Sequence, residues 1–268
     1  MQPLASLFNY VLYIACSAGD AIMQIYGEDD LGITAKDDNS PLTRADIASH
    51  KVIEAGLSKL TPDIPILSEE SVTVGWEERK TWDRYWLVDP LDGTKEFIKR
   101  NGEFTVNIAL IENGEPVLGA VYVPTQDILY CGMKDGGAWK IAGGQQERIV
   151  VKKLTPEQQT LRVVASRSHR DNGREAWLTK MRERFSEIEL CNMGSSLKIC
   201  LVAEGSADVY PRFALTSEWD TAAAQAVLEA AGGQLVTLEG KPYRYNTKDD
   251  ILNPYFMALS DISLLNGA

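Results

Sequence analysis

The sequence predicts a mixed α/β chain whose helices and strands pack in layers. Apolar residues recur at helical spacing near the start of the chain, and short apolar strands then alternate with further helical segments. Internal repeats and low-complexity segments are absent from the sequence of 268 residues. A chain of this length and pattern is expected to form one large domain or two closely fused halves.

Two helices are predicted before the first strand. Apolar residues within 4–25 recur every three or four positions, which indicates an amphipathic helix. Thr43 and Asp46 have the spacing of a capping box and open the second helix. The residues predicted on the buried side of that helix are Ala48, Val52, Ile53, Ala55, Leu57 and Leu60.

A run of strands follows the second helix. Asn113-Gly114 lies between the apolar segments 105–111 and 116–123 and predicts a hairpin, because this dipeptide accepts the positive φ angles of a tight turn. The other strands predicted in this part of the chain are 64–67, 85–88, 128–131 and 138–141.

A polar run separates this region from the rest of the chain. Residues 155–159 break the strand pattern, so we place a boundary there between an N-terminal half, 1–157, and a C-terminal half, 158–268. Gly232-Gly233 supplies the C-terminal stop of the last predicted helix. The elements predicted in the second half are strands at 161–165 and 207–210 and helices at 172–185, 195–204 and 219–231.

The charge and cysteine content argue against several classes of protein. Thirty-eight acids against 27 bases give a formal net charge of −11, which disfavours binding to nucleic acid or to an anionic membrane surface. The four cysteines form no CxxC pair and are expected to be free thiols in a reducing compartment. No basic residue precedes Lys36, and Asn9 and Asp20 interrupt the apolar start. We therefore expect no signal peptide, no integral membrane segment and a cytoplasmic location.

Four acidic residues stand where the chain turns. Asp89 ends an apolar strand, and Asp92 follows it through a proline turn. Glu69 follows another short strand, and Asp220 lies at the start of a helix. Mg²⁺ takes oxygen ligands, and strand-end carboxylates can be directed into one crevice by a rigid sheet. If Asp89 bridges two ions, Asp92 and Asp220 can hold one of them and Glu69 the other, as in-line phosphoryl displacement requires.

Gly93 and Thr94 directly precede a predicted short helix, 95–99, whose free N–H groups and dipole can hold phosphate oxygens. Each of these residues also has an ordinary structural interpretation. Pro-Leu-Asp-Gly makes a good turn in any protein, and Asp46 and Asp220 can simply cap helices. Glu69 can be one acid of a solvated pair. Turns and caps do not, however, require the longer patterns in which these residues lie.

Those longer patterns resemble the metal-binding motifs of the inositol monophosphatase superfamily, in the same order and spacing. They are Ser68-Glu69-Glu70, residues 86–94 (WLVDPLDGT), and residues 219–223 (WDTAA) followed by Gly232-Gly233. Further segments resemble its branch of 3'(2'),5'-bisphosphate nucleotidases. They are residues 40–46 (SPLTRAD), 92–97 (DGTKEF), 164–169 (VASRSH), 194–198 (GSSLK) and 210–212 (YPR). The resemblance covers nearly the whole chain and implies an α+β layered sandwich of αβαβα type.

The resemblance also implies roles for individual residues. The implied ligands of two or three Mg²⁺ ions are Glu69, Asp89, the Leu91 carbonyl, Asp92 and Asp220. Asp46 and Thr94 would act together on the attacking water. The implied substrate-binding residues are Glu69, Gly93, Thr94, His169, Ser195, Lys198, Arg212 and Asp220. Of these, Ser195, Lys198 and Arg212, with His169 as a further candidate, would hold the nucleotide, and Asp220 with its metal would stabilise the leaving ribose oxygen. The implied reaction removes the 3'-phosphate of adenosine 3',5'-bisphosphate in sulfur assimilation and nucleotide recycling, with inhibition by lithium.

Alternatives remain open at this point. Inositol monophosphatase or fructose-1,6-bisphosphatase activity is the next interpretation, although Lys95-Glu96 stands where inositol phosphatases usually carry Thr-Asn. A sensor that binds adenine nucleotides or metal without turnover is a third. An aspartyl-phosphate phosphatase is disfavoured, because its motif has one residue between the two acids and this chain has two. The oligomeric state is left open, and peripheral association with the inner face of the membrane is an alternative location taken from bacterial relatives.

Overall fold

Two β-sheets alternate with three layers of helix. The computed structural model describes residues 3–36, 40–71, 74–166 and 172–267. The helices are α1 (Leu4–Tyr26), α2 (Arg44–Leu60), α3 (Trp76–Arg79), α4 (Thr94–Ile98), α5 (Asn172–Met181), α6 (Leu197–Ala203) and α7 (Glu218–Ala230), with 3₁₀ turns at Glu69–Ser71 and Ile262–Gly267. The layer order is helix, sheet, helix, sheet, helix, so the predicted α+β layered sandwich is confirmed.

The strands of the first half form a ribbon and a seven-stranded sheet. They are β1 (Thr34–Ala35), β2 (Pro41–Leu42), β3 (Ile66–Ser68), β4 (Arg84–Asp92), β5 (Thr105–Glu112), β6 (Glu115–Val123), β7 (Ile128–Met133), β8 (Gly137–Ala142) and β9 (Gln145–Ile149). The sheet runs from β3 to β9 in chain order, with only β3 and β4 parallel. Asn113 and Gly114 both have positive φ, so the predicted hairpin is confirmed. The sequence analysis missed β9, because four of its five residues are exposed and polar.

α1 and α2 cover one face of this sheet. The apolar residues predicted on α1 are buried or half-buried there, as the helical period requires. By length and composition α1 is also apolar enough to cross a membrane, and in the fold its buried side packs on the sheet and α2. On α2, Ile53 and Leu57 are buried, whereas Ala55 is exposed. The prediction for Ala55 was wrong because a residue two positions from each of them points to the opposite side of a helix.

The strands of the second half form a five-stranded sheet. They are β10 (Thr160–Ser166), β11 (Glu187–Met193), β12 (Val209–Arg212), β13 (Gln234–Thr237) and β14 (Phe256–Leu259), in the order β11-β10-β12-β14-β13. The predicted helix 172–185 ends at Met181, and the polar edge strand β11 follows it unpredicted. β13 and β14 were missed as well, since neither segment alternates between buried and exposed side chains.

The helix α7 lies between the two sheets and packs on strands of the first half. Two glycines of that sheet allow this close approach: a Cβ on Gly119 would lie 2.2 Å from the Ala223 carbonyl oxygen, and one on Gly132 would lie 2.7 Å from the Val227 Cα. The start of α7, with Asp220, thereby reaches the end of β4. The strands of the first sheet precede residues 155–159 in the sequence, and those of the second sheet follow them. The division of the chain into two halves stays a prediction.

Candidate active site

Three aspartates converge where β4 meets the start of α7. One carboxylate oxygen from each of Asp89, Asp92 and Asp220 lies within 4.8 Å of the others. The ladder between β4 and β5 is regular to the Asp89–Asn107 pair and resumes at Asp92–Thr105, with a register shift between them. Pro90 lies in this bulge, where its missing N–H breaks no regular ladder bond. The bulge thus brings two acids that are three positions apart to the same end of the sheet.

Glu69 completes this group, which we call the carboxylate cluster (Glu69, Asp89, Asp92 and Asp220). It lies in the 3₁₀ turn after β3 and lines the same cavity as the three aspartates. The Lys36 ammonium lies 2.7 Å from a carboxylate oxygen of Glu69 and 2.7 Å from one of Glu70. Lys36 was not predicted as a site residue, because nothing in a local pattern pairs residues more than thirty positions apart.

The cluster is electrostatically poised for a cation. Burial raises the pKa of Asp89 well above its ordinary value, and the negative charges of Glu69, Asp92 and Asp220 act in the same direction. Burial likewise raises the pKa of Asp220, with Asp92 adding to the shift. All the side-chain donors are carboxylate oxygens, the ligands that hard divalent cations prefer. The residues of the cluster therefore fit a metal centre.

Two of the acids serve at once as helix caps and as site residues. Asp220 Oδ2 accepts the backbone N–H of Ser217 at 2.8 Å at the start of α7. Asp46 Oδ2 accepts the N–H of Thr43 at 2.8 Å and its hydroxyl at 2.5 Å at the start of α2. Both residues therefore cap a helix, and the capping bonds use one oxygen of each carboxylate. The other oxygen is held in a fixed direction by that cap.

The second oxygen of Asp46 is directed at Thr94. Thr94 Oγ1 donates to Asp46 Oδ1 at 3.1 Å and lies 3.3 Å from the Leu91 carbonyl oxygen. Burial raises the pKa of Asp46, against the opposing effect of the hydrogen bonds from Thr43 and Thr94. Thr94 begins α4 immediately after Gly93, whose φ of 96° is in the left-handed region. A side chain at Gly93 would be strained by this φ and would place its Cβ 3.0 Å from the Glu103 carbonyl oxygen.

A second cavity adjoins the one that the carboxylate cluster lines, and the two share Asp92, Gly93, Lys95, Glu96 and Asp220. We call it the cation-lined cavity, because Lys198 and Arg212 are both nearly buried in its wall. Burial lowers the pKa of Lys198 to about 8, with Asp92 opposing and Arg212 reinforcing the shift. Other lining residues are Met193, Ser195, Tyr210 and Phe256.

The two cations of this cavity already contact backbone carbonyls. Lys198 Nζ donates to the Ser195 carbonyl at 2.5 Å, and Arg212 donates to the carbonyls of Ala214 at 3.2 Å and Leu215 at 3.1 Å. Across the ranges that the structure describes, neither forms a salt bridge with a carboxylate. Both side chains therefore bring positive charge to the cavity while holding loops that border it.

The structure brings most of the predicted site residues to two adjoining cavities. Asp46 lines neither cavity, because it is buried behind Thr94, and His169 lies outside the described residues. His50 Nδ1 lies 3.0 Å from Ser68 Oγ, and this contact joins α2 to the end of β3. Ser196 and Asn107 were missed, although both contact Asp92. Ser196 lies beside Ser195 in the motif at 194–198, and only the folded chain shows that Ser196 contacts Asp92.

The fold is an αβαβα sandwich with a carboxylate cluster at a strand end, beside a cavity lined by two buried cations, and these are features of a metal-dependent phosphatase. The sequence matches the inositol monophosphatase family over residues 6–260. The chain belongs to this family, as its motifs predicted, and its substrate is accordingly a small phosphorylated molecule.

Individual relatives narrow the comparison. The chain is 51% identical over 251 residues to the 3'(2'),5'-bisphosphate nucleotidase CysQ of Escherichia coli (strain K12), covering 93% of this chain and 98% of that protein. The crystal structure of CysQ from Bacteroides thetaiotaomicron is similar at a TM-score of 0.82 and 43% identity, covering 94% of this chain and 96% of that one. An inositol monophosphatase from Anabaena has a TM-score of 0.72 at 24% identity, covering 100% and 96%, which shows the shared fold alone.

Proposed function

We propose that the protein hydrolyses the 3'-phosphate of adenosine 3',5'-bisphosphate, giving AMP and phosphate. The observation that carries this proposal is the adjacency of the two cavities, which share Asp92, Gly93 and Asp220. A nucleotide with its 3'-phosphate at the carboxylate cluster can extend its second phosphate toward Lys198 and Arg212. Similarity to the CysQ nucleotidases at 51% and 43% identity supports the same substrate. We place the reaction in the cytoplasm, in nucleotide recycling that accompanies sulfur assimilation.

The metal of the proposed site is Mg²⁺, in two or three ions. Glu69, Asp89, Asp92 and Asp220 would hold it together with the Leu91 carbonyl oxygen. Bound Mg²⁺ supplies a water of lowered pKa and neutralises charge on the transferred phosphoryl group. Because the cluster offers only oxygen ligands, the protein needs no soft or redox-active metal for this chemistry.

Asp46 and Thr94 would handle the proton of the attacking water. Thr94 Oγ1 can accept that proton while its own proton passes to Asp46 Oδ1, 3.1 Å away. The raised pKa of Asp46 favours this transfer, because a carboxylate of higher pKa is a stronger base. The Thr43 bonds keep Oδ2 in place, so the accepting oxygen does not rotate away from Thr94.

The nucleotide would lie in the cation-lined cavity. Lys198 and Arg212 would hold the 5'-phosphate, with Arg212 able to present two N–H groups to it. Tyr210 and Phe256 line the same cavity and offer aromatic surface to the adenine. Ser195 and the Gly93 backbone border the path between the two phosphates, and His169 is a further candidate from the motif alone.

Metal dependence is the first expected result. Stripping divalent ions with a chelator should abolish phosphate release, and added Mg²⁺ should restore it. Lithium should inhibit the restored activity, as the family resemblance implies. Phosphate release is measured in metal-free buffer and across a Mg²⁺ titration. Full activity in metal-stripped buffer would show that the carboxylate cluster is not the catalytic centre.

The roles of the two buried cations give a second expected result. Arg212→Ala and Lys198→Ala should each raise KM for adenosine 3',5'-bisphosphate by roughly ten- to a hundredfold, since a charge-assisted contact contributes about 1.5–3 kcal/mol. The slower hydrolysis of inositol 1-phosphate, which lacks a 5' group, should change little. Arg184→Ala is the matched control, because this exposed arginine also donates to a backbone carbonyl, that of Ser263. Equal losses on both substrates would mean that the cations hold the loops and do not recognise the 5'-phosphate.

The decisive experiment compares substrates side by side. kcat/KM is measured for adenosine 3',5'-bisphosphate, inositol 1-phosphate and fructose 1,6-bisphosphate at one Mg²⁺ concentration. The proposal expects the nucleotide to be preferred by a large factor. Preference for either sugar phosphate would assign the protein to another branch of the family. Tight nucleotide binding without phosphate release would identify a sensor.

A further inference from the structure

Ser196 contacts two residues of the carboxylate cluster, Asp92 and Asp220. It immediately precedes α6, and only 3% of its surface is exposed. Its backbone N lies 2.5 Å and its Oγ 2.8 Å from Asp92 Oδ2, across 104 positions of the chain. Its Oγ also lies 2.5 Å from the backbone carbonyl oxygen of Asp220. The single proton of this hydroxyl serves one of these two oxygens at a time.

These contacts orient the Asp92 carboxylate. Asn107 Nδ2 lies 3.4 Å and Thr105 Oγ1 lies 3.5 Å from Asp92 Oδ2, and Asn107 also donates to Ser196 Oγ at 2.9 Å. Within the described part of the chain, all side-chain hydrogen bonds found on Asp92 end on Oδ2. The contacts from Ser196 are thus the shortest in a small network that converges on Oδ2 of Asp92.

The turn at residues 194–196 is fixed by contacts on both sides of Ser196. Ser195 has a φ of 47°, a left-handed conformation that is uncommon for a residue with a side chain. Lys198 Nζ holds its carbonyl oxygen at 2.5 Å. On the other side, Gly194 passes so close to Glu103 that an added Cβ would lie 2.9 Å from the Glu103 carbonyl oxygen. The chain from Lys198 through Ser195 to Ser196 therefore links the cation-lined cavity to Asp92.

We infer that Ser196 is a positioning residue that fixes Asp92 as a metal ligand and connects the cation-lined cavity with the carboxylate cluster. This inference rests on the proposed function for the identity of the site, but its geometry stands on hydrogen bonds within the protein. Outer partners of metal-ligating carboxylates fix their orientation, and their loss typically lowers metal affinity or activity by about 10–100-fold. Ser196 contacts no reacting atom in this role, because it acts through Asp92 and the start of α7.

The test uses Ser196→Ala, which removes the hydroxyl and keeps the backbone N–H. Its helical backbone angles suit alanine, and no helix-capping bond from its side chain is lost. Ser196→Cys is a second variant, since it keeps the unbranched shape of the side chain, adds only the extra volume of a sulfur atom and provides only a weak donor. Ser260→Ala is the control: Ser260 is also fully buried, and among the described residues its hydroxyl has no hydrogen-bond partner. Circular dichroism and thermal melting of the metal-free proteins establish that the variants fold.

Mn²⁺ binding to each full-length protein is measured by calorimetry and by electron paramagnetic resonance, without substrate. We expect both Ser196 variants to lose about 10–100-fold in Mn²⁺ affinity. The Mg²⁺ concentration for half-maximal turnover should rise in parallel, with a smaller change in kcat at saturating Mg²⁺. Ser260→Ala should match the unaltered protein in every measurement.

Unchanged Mn²⁺ affinity in folded Ser196→Ala and Ser196→Cys would overturn the inference. A loss of melting temperature alone, with unchanged metal affinity, would likewise assign Ser196 a merely structural role. The outcome of this metal-binding test does not depend on whether the proposed function is correct. If the unaltered protein fails to hydrolyse adenosine 3',5'-bisphosphate but its Mn²⁺ affinity still depends on Ser196, the proposed function fails and the positioning role stands.

Discussion

Asp89→Asn is expected to abolish turnover while making the metal-free protein more stable at neutral pH. Asp89 is fully buried at the end of β4 among three other acids, so without a cation its charge is both desolvated and repelled. Asparagine keeps the shape and the acceptor for the Leu91 N–H, which lies 3.0 Å from Oδ1, but removes the charge that Asp89 would supply to a bound Mg²⁺. The loss of activity should exceed the roughly 10–100-fold typical of losing an outer partner.

The pH dependence of the metal-free protein follows from the same residue. Folding raises the pKa of Asp89, so between its unfolded-state pKa and its folded-state pKa the folded protein binds more protons than the unfolded chain. The contribution of Asp89 to stability is therefore fully present below the unfolded-state pKa. It is lost as the pH rises through the folded-state pKa. Each unit of the shift corresponds to about 1.4 kcal/mol. Asp89→Asn should flatten this decline, and bound Mg²⁺ should reverse it.

Both effects are measurable in one series. kcat is determined at saturating Mg²⁺, and urea unfolding is followed in chelator at several pH values. Asp63→Asn is the control, since it makes the same chemical change at an exposed position outside both cavities. Near-normal turnover of Asp89→Asn would place the catalytic metal elsewhere. A metal-free variant that is less stable at neutral pH would contradict the electrostatic argument.

Asp46→Asn is expected to lower kcat by a factor on the order of 10²–10⁴, the usual contribution of a positioned proton acceptor. The amide oxygen can still cap α2 by accepting from Thr43, so the melting temperature should change little. Mn²⁺ and AMP binding should survive, because Asp46 lies behind Thr94 and outside the carboxylate cluster. The measurement is kcat at saturating metal and substrate, together with calorimetric binding of both ligands.

Thr43→Ala separates the two roles of Asp46. It removes the 2.5 Å hydroxyl bond to Oδ2 and keeps the Thr43 N–H and the bond from Thr94 to Oδ1. Loss of such a capping residue costs about 0.5–2 kcal/mol of stability. The melting temperature should therefore fall with most of kcat retained. The opposite pattern, a destabilised Asp46→Asn with unchanged kcat, would reduce Asp46 to a helix cap.

Much of the fold was predictable, because its signals are local. The period of α1, the Asn113-Gly114 turn and the glycine stop after α7 each express an interaction within one or two turns of chain. The polar edge strands β9 and β11 carry no such signal, since neither presents a consistently buried side. For the site, strand-end and helix-start positions identified the acids, while the longer motifs assigned the family.

The tertiary structure decided which atoms of those acids are available. The sequence by itself determined that Asp92 and Asp220 stand at turns, but Ser196 orients Asp92 across 104 positions and the Gly119 contact places α7 on the sheet. Likewise, Lys198 and Arg212 were identified as cations from their motifs, whereas their bonds to loop carbonyls required the folded chain. Contacts between residues far apart in sequence leave no period in either segment. They are created when the layers pack, and they decide which oxygen of each carboxylate is free for chemistry.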